Sequence, residues 1–155
     1  MESQHNSIRE ISRAYFSVQN KPFREIQAIH FCDNEKDANE CLDLVLDGVK
    51  RATATAVWEF EMLDEPLPQI GDLYIVTDWD KVGHCVIQTT KVTTLAFNEI
   101  SDEHAMLEGE GDKSLQYWQK VHRAYYARQF ENTHFKPDDN MKIVFEEFEV
   151  VFVAN

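Results

Sequence analysis

Apolar residues open the chain at helical spacing: Ile8, Ile11, Tyr15 and Val18 share one face of a short amphipathic helix. Lys21-Pro22 breaks that pattern, and residues 23–32 read as a mixed, extended segment. A second helix is predicted where Ala38, Cys41, Leu42, Val45 and Leu46 fall at i, i+3, i+4, i+7 and i+8. Asp33 and Asn34 supply acceptors that suit its N-terminus, and Gly48 ends it where a left-handed residue is wanted. Lys50 and Arg51 therefore emerge just beyond a helix C-terminus. From Ala52 the period changes to two and carries on to Val57. Successive strand residues face opposite sides, so Ala52, Ala54 and Ala56 form one face, while Thr53 and Thr55 present hydroxyls on the other.

Pro66, Pro68 and Gly71-Asp72 mark a loop. Strands are predicted over 73–77 and 83–95, joined by a hairpin turn at Asp78-Trp79-Asp80-Lys81. A short helix over 101–108 and an acidic, glycine-containing loop over 108–112 precede a longer helix over 114–129. That helix sets Leu115, Trp118, Val121, His122 and Tyr125 on one side, and Lys120, Arg123 and Arg128 on another. After a turn at residues 137–140, a final strand over 142–153 alternates through Val144, Glu146, Phe148, Val150 and Phe152. Helices interrupt the strands rather than alternating with them. This predicts an α+β barrel or curled sheet, not a parallel doubly wound fold.

With 155 residues the chain is read as one domain spanning 1–155, large enough to enclose a core without staples. No apolar run reaches the ~20 residues of a spanning helix, and charges at Glu2, Arg9, Glu10 and Arg13 interrupt any signal-like segment. The three cysteines, Cys32, Cys41 and Cys85, show no CxxC spacing, which points to buried free thiols in a reducing compartment. A cytoplasmic location and no membrane partner are expected. The formal net charge of −13 argues against nonspecific coating of long nucleic acid, double-stranded DNA above all. A small substrate or a short stretch of single-stranded RNA fits better, since a local pocket can still focus positive potential.

Glycine-rich nucleotide loops and HExxH spacing are absent from the sequence. The loop Glu108, Glu110, Asp112 has the alternate spacing of half a calcium loop, but Lys113 and Gln119 stand where such a loop needs glycine and glutamate. Its charge also suits the helix N-terminus that follows. No metal site is assigned. The segment Gly48-Val49-Lys50-Arg51-Ala52-Thr53 brings an amine and a hydroxyl to one helix-to-strand turn. A threonine needs a base to become a nucleophile, and a lysine serves if burial or a cation such as Arg51 lowers its pKa. The same residues also suit a plain helix end and an ordinary strand. Residue types alone leave both readings open.

GVKRAT resembles the G-x-K-x-x-T signature of ASCH domains, named for homology to an activating signal cointegrator, within the PUA-like superfamily. The segments FCDNEKDANECLDLVLDGVKRATATA, IGDLYIVTDWDKVGHCVIQTTKV, FNEISDEHAMLEGEGDKSLQYWQKVH and IVFEEFEVVF together resemble the longer bacterial members from about residue 25 onward. The resemblance implies an α+β fold: a small PUA-like β-barrel, or curled mixed sheet, with helices packed around a cleft. Residues 1–24 are then an N-terminal helical extension.

Some small ASCH proteins are amidohydrolases acting on N4-acetylcytidine with a lysine, a threonine and a glutamate. The resemblance places these at Lys50, Thr53 and Glu108, the last following Glu103-His104-Ala105. Glu110 competes for that place. Longer members are associated with RNA binding and ribonuclease activity, using the same lysine and a serine for which Ser114 is the candidate. Arg51, Thr55, Ser114 and Arg123 are expected to contact substrate or RNA. Lys120 and Arg128 could add phosphate contacts, and Trp79, Trp118 or Tyr125 could stack a base if exposed. A non-catalytic binding module is the third alternative. No cofactor is expected, although the ribonuclease alternative leaves room for a divalent metal. The amidohydrolase reading carries a condition: Glu108 beside Lys50 would raise the lysine pKa, so burial or Arg51 must counteract it.

Overall fold

A computed structural model describes residues 4–155. Helix α1 (Asn6–Gln19) forms where the sequence places its apolar face, burying Ile8, Ile11, Tyr15 and Phe16. Its buried Ser12 donates to Ile8 O at 2.7 Å and accepts from Ile26 N at 3.0 Å, which ties the helix to the chain that leads into β1 (Gln27–Ile29). Asn34 caps α2 (Glu35–Leu46), its side chain accepting from Asp37 N at 2.9 Å. Gly48 follows α2 with φ +76°, the left-handed stop the sequence predicts.

The remaining elements are β2 (Ala52–Ala56), α3 (Val57–Leu63), β3 (Leu73–Thr77), β4 (Gly83–Ala96), a 3₁₀ turn (Phe97–Glu99), α4 (Asp102–Glu108), α5 (Leu115–Gln129) and β5 (Lys142–Val153). The strands form one mixed sheet in the order β1-β3-β4-β5-β2. Only β1–β3 is parallel; the other pairs are antiparallel. Two register shifts, at Val86/Ile87 and Thr89/Lys91, interrupt the long β4–β5 pair. Such bulges increase twist, and the sheet curls into a half-barrel. The α+β curled sheet with helices around it is the architecture the sequence and its resemblance predict.

Three apolar clusters hold it together. Helix α1 covers β1, β3 and β4 through Ile8, Ile11, Ile75 and Val86. Helix α2 covers the sheet's middle through Cys41, Leu42, Val45, Ile87 and Phe148. The third joins β2 and β5 to α4 and α5 through Ala52, Ala56, Ala105, Trp118, Tyr126 and Phe145. The small alanine face of β2 permits that close approach, as its alternation implies.

One helix has no counterpart in the sequence reading: the strand expected to carry on to Val57 stops at Ala56, and Val57 begins α3. Ala56 makes no side-chain capping bond, so no cap residue marks the start. Tertiary packing decides it. Trp58 meets Phe130 and Phe135 at ring-centroid distances of 5.3 and 5.0 Å, contacts that a continued strand would not make.

Candidate active site

The turn after α2 wraps back on itself, with Val49 N and Lys50 N both donating to Leu44 O at 2.9 and 3.0 Å. The chain then passes between α4 and β5: Arg51 N donates to Leu107 O at 2.8 Å, and Phe148 N donates to Arg51 O at 2.9 Å. This anchoring drives the Lys50 side chain inward, leaving it 2% exposed. Its Nζ donates to Ala52 O at 2.8 Å and to Glu108 Oε2 at 3.3 Å, and lies 3.5 Å from Glu110 Oε2. An ammonium has three N–H donors, and three acceptors surround this one. The Phe31 ring, 4.9 Å from Nζ, covers another side.

Gly109 sets the two glutamates around the lysine. Its φ is +71°, and an added Cβ would stand 2.5 Å from Val49 O. Only glycine lets the chain press so closely on the Val49 peptide while turning left-handed. Glu108 Oε1 accepts from Trp118 Nε1 at 3.2 Å and lies 3.5 Å from His122 Nε2. His122 Nδ1 donates to Trp118 O at 2.9 Å, with its ring stacked on the indole at 4.0 Å. Glu110 Oε1 accepts from Cys41 Sγ at 2.9 Å, and Cys32 Sγ stands 3.4 Å from Cys41 Sγ.

These contacts lock charge in place. Burial disfavours the Lys50 ammonium, but Glu108 and Glu110 outweigh burial and raise its pKa above the ordinary lysine value. Burial acts against ionised Glu108 too, yet Lys50 and then His122 hold its carboxyl below the usual range. Burial raises Glu110 despite the opposing pull of Lys50. His122 is disfavoured as a cation by burial, but Glu108 more than compensates and its pKa rises.

Lys50, Glu108 and Glu110 form one wall of a cavity of about 790 Å³. Thr53, Thr55, Tyr74, Tyr125 and Glu146 line it as well. The lining is acidic: Glu25, Asp33, Asp37, Glu59, Glu65, Asp72, Glu108, Glu110 and Glu146 face it, against Arg24, Lys50 and Arg128. Arg128 is itself held by Asp33, at 2.9 and 3.2 Å.

A family model for the ASCH domain matches residues 27–152, a span that includes this whole lysine-centred turn. The chain belongs to the ASCH domain family. It is similar to an ASCH domain from Lactobacillus crispatus JV V101 solved by crystallography, at 34% identity and TM-score 0.88, with 98% of each chain covered. A crystal structure of a protein from Enterococcus faecalis V583 shares the fold at 24% identity and TM-score 0.88, covering 96% of this chain and 90% of that one. No curated protein matches the chain.

Within this ASCH domain the structure brings Lys50, Thr53, Thr55 and Glu108 to one cavity, and adds Glu110 beside Glu108. Three other expected contacts lie off its walls. Arg51 is exposed, because the residue after an inward-pointing lysine on an extended chain points outward. Ser114 is spent as the α5 cap, accepting from Tyr117 N at 3.0 Å. Arg123 pairs with Asp139 at 3.0 Å and lies over Phe97 at 4.8 Å. Lys120 and Trp79 also stand away from the lining, Trp118 is buried, and Tyr125 reaches it.

The sequence reading had no role for Phe31, Cys41 or Glu146 in the site, and saw His122 only as part of an apolar helix face. Glu146 did carry a signal: it is the one acidic residue on the face of the β5 alternation that also holds Val144, Phe148, Val150 and Phe152. Among the described residues two groupings bring metal-type ligand atoms within 4.8 Å of one another: Cys32, Cys41 and Glu110, and Glu108, Glu110 and His122. In both, Glu110 already faces the Lys50 ammonium at 3.5 Å. No helix of the described residues is long and apolar enough to cross a membrane.

Proposed function

We propose that this ASCH protein hydrolyses an acyl amide on a small, uncharged nucleoside of the N4-acetylcytidine type, with Thr53 as nucleophile. The observation that carries this reading is the acidic lining around one buried ammonium. A single-stranded RNA brings a phosphate per nucleotide and needs a cationic track. Carboxylates here outnumber cations, and Arg123 and Lys120 lie elsewhere. A neutral nucleoside suits such walls, because carboxylates and the hydroxyls of Thr53, Thr55 and Tyr125 accept from ribose hydroxyls and ring amines. The volume also falls in the small-molecule range of roughly 300–1,000 Å³.

Lys50 takes a different part from the base the sequence reading gave it. Held as an ammonium by Glu108 and Glu110, it has no lone pair to accept a proton. Its three N–H donors are taken by Ala52 O, Glu108 and Glu110, so it instead holds the two glutamates in place at the cavity wall. Thr53 attacks the carbonyl carbon, the C–N bond breaks, and water releases the acyl group from threonine.

The test is chromatography of purified protein with N4-acetylcytidine, beside the Thr53→Val and Lys50→Ala variants and a single-stranded RNA substrate. Cytidine and acetate from the wild type, with neither product from Thr53→Val, are expected. Cleaved RNA and untouched nucleoside would overturn the reading.

A further inference from the structure

We infer that Glu146 is a further catalytic residue of this cavity: the carboxylate that takes the Thr53 proton and hands it to the departing amine. The inference rests on the hydrolase reading above and deepens it. Thr53 and Glu146 are directly paired in register on the antiparallel strands β2 and β5. Directly opposed residues of an antiparallel pair project to the same face with Cβ atoms about 4.5–5.5 Å apart. That face is the cavity, and both residues line it.

The surroundings of Glu146 suit a proton acceptor. It is 8% exposed, and among the described residues no cation pairs with it. Among the described residues its carboxylate accepts one hydrogen bond, from Thr89 on β4, whose hydroxyl donates to Oε2 at 3.2 Å. From the β3 side it faces Tyr74 and Asp72, neither of which supplies positive charge. The carboxylates around Lys50 are different in kind: Glu108 is committed to a lysine, a histidine and an indole N–H. Burial lifts the Glu146 carboxyl to about 7, opposed by the Thr89 bond and assisted by Asp72, which leaves it able to gain and lose a proton near neutrality.

Thr53 Oγ forms a bond to the acyl carbon as its proton passes to Glu146. The tetrahedral species collapses, the C–N4 bond breaks, and the amine leaves with the proton from Glu146. Water then attacks acyl-Thr53, gives its proton to Glu146, and the acid leaves as Thr53 Oγ recovers that proton. Amide and water become amine and carboxylic acid, and the enzyme is unchanged.

The experiment measures N4-acetylcytidine hydrolysis by wild type, Glu146→Gln and Glu146→Asp from about pH 5 to about pH 9, with nucleoside affinity by calorimetry and thermal melting alongside. For wild type, kcat/KM is expected to rise with pH through an inflection near 7 as the carboxylate forms. Glu146→Gln should lose about 100-fold or more in kcat and lose the inflection, with affinity preserved and melting no lower than that of wild type. Glu146→Asp should keep an acid limb. A glutamine variant with wild-type rate and the same inflection overturns the role of Glu146 and leaves the hydrolase reading standing. An aspartate variant that melts like wild type but has neither rate nor limb also overturns it. A wild type that releases no cytidine overturns the hydrolase reading, and this inference with it.

Discussion

The Nζ of Lys50 lies 3.3 Å from Glu108 Oε2, with both side chains almost wholly buried and 58 positions apart in the chain. A buried ion pair of this kind is costly to break one-sidedly, because the partner left behind keeps its charge without water. Lys50 therefore holds both the fold and the site, and loss of activity on its removal has two sources.

Lys50→Met should lower the unfolding free energy by roughly 3–5 kcal/mol, since Glu108 and Glu110 are then left facing each other. Thr53→Val exchanges a hydroxyl for a methyl on a half-buried strand position and should cost roughly 1 kcal/mol. Urea unfolding of the two variants separates a dead enzyme from an unfolded one.

Gly109→Ala is expected to destabilise by more than about 1 kcal/mol and to impair the site as well. The positive φ and the 2.5 Å approach to Val49 O both oppose a Cβ, and the neighbour is backbone that cannot rotate away. Glu108 and Glu110 flank this position, so a shift here moves both from Lys50. Paired melting and hydrolysis measurements check it.

His122 binds its proton more tightly folded than unfolded, Glu108 outweighing burial. Its stabilisation is therefore complete below the unfolded value near 6.5 and is lost as pH rises through the higher folded value. The difference in unfolding free energy between wild type and His122→Gln should be largest in mild acid and shrink toward alkaline pH.

Glu146 gives the matching carboxylate case. Its folded pKa is raised to about 7 from 4.5, so ionising it costs the folded state free energy progressively between those values. Glu146→Gln should be no more stable than wild type below pH 4.5 and more stable above 7, by an amount on the order of 3 kcal/mol. Denaturant curves at the two extremes of pH decide this without any assay of activity.

Much of this was legible in residue order. The period of 3.6 through Ala38 to Leu46, the glycine after it and the change to period two at Ala52 located α2, the turn and β2. Those signals are local, because helix and strand faces are set by neighbours within a few residues. The start of α3 was not legible, since Ala56 offers no cap and the helix owes its place to Trp58 meeting Phe130 and Phe135. The resemblance to ASCH domains pointed to Lys50, Thr53 and Glu108, which the fold does gather at one cavity. It could not tell that Arg51, Ser114 and Arg123 would be turned or tied elsewhere.

By itself the sequence determined most of the elements, the signature turn and the family, because each is written in short-range spacing. Tertiary structure alone decided the state of the charges. Glu108 and Glu110 reach Lys50 only after α4 docks beside β2, and Glu146 comes opposite Thr53 only through the β2–β5 register. Whether a lysine is a base or a fixed cation, and whether a glutamate ionises near neutrality, depends on burial and on partners many positions away.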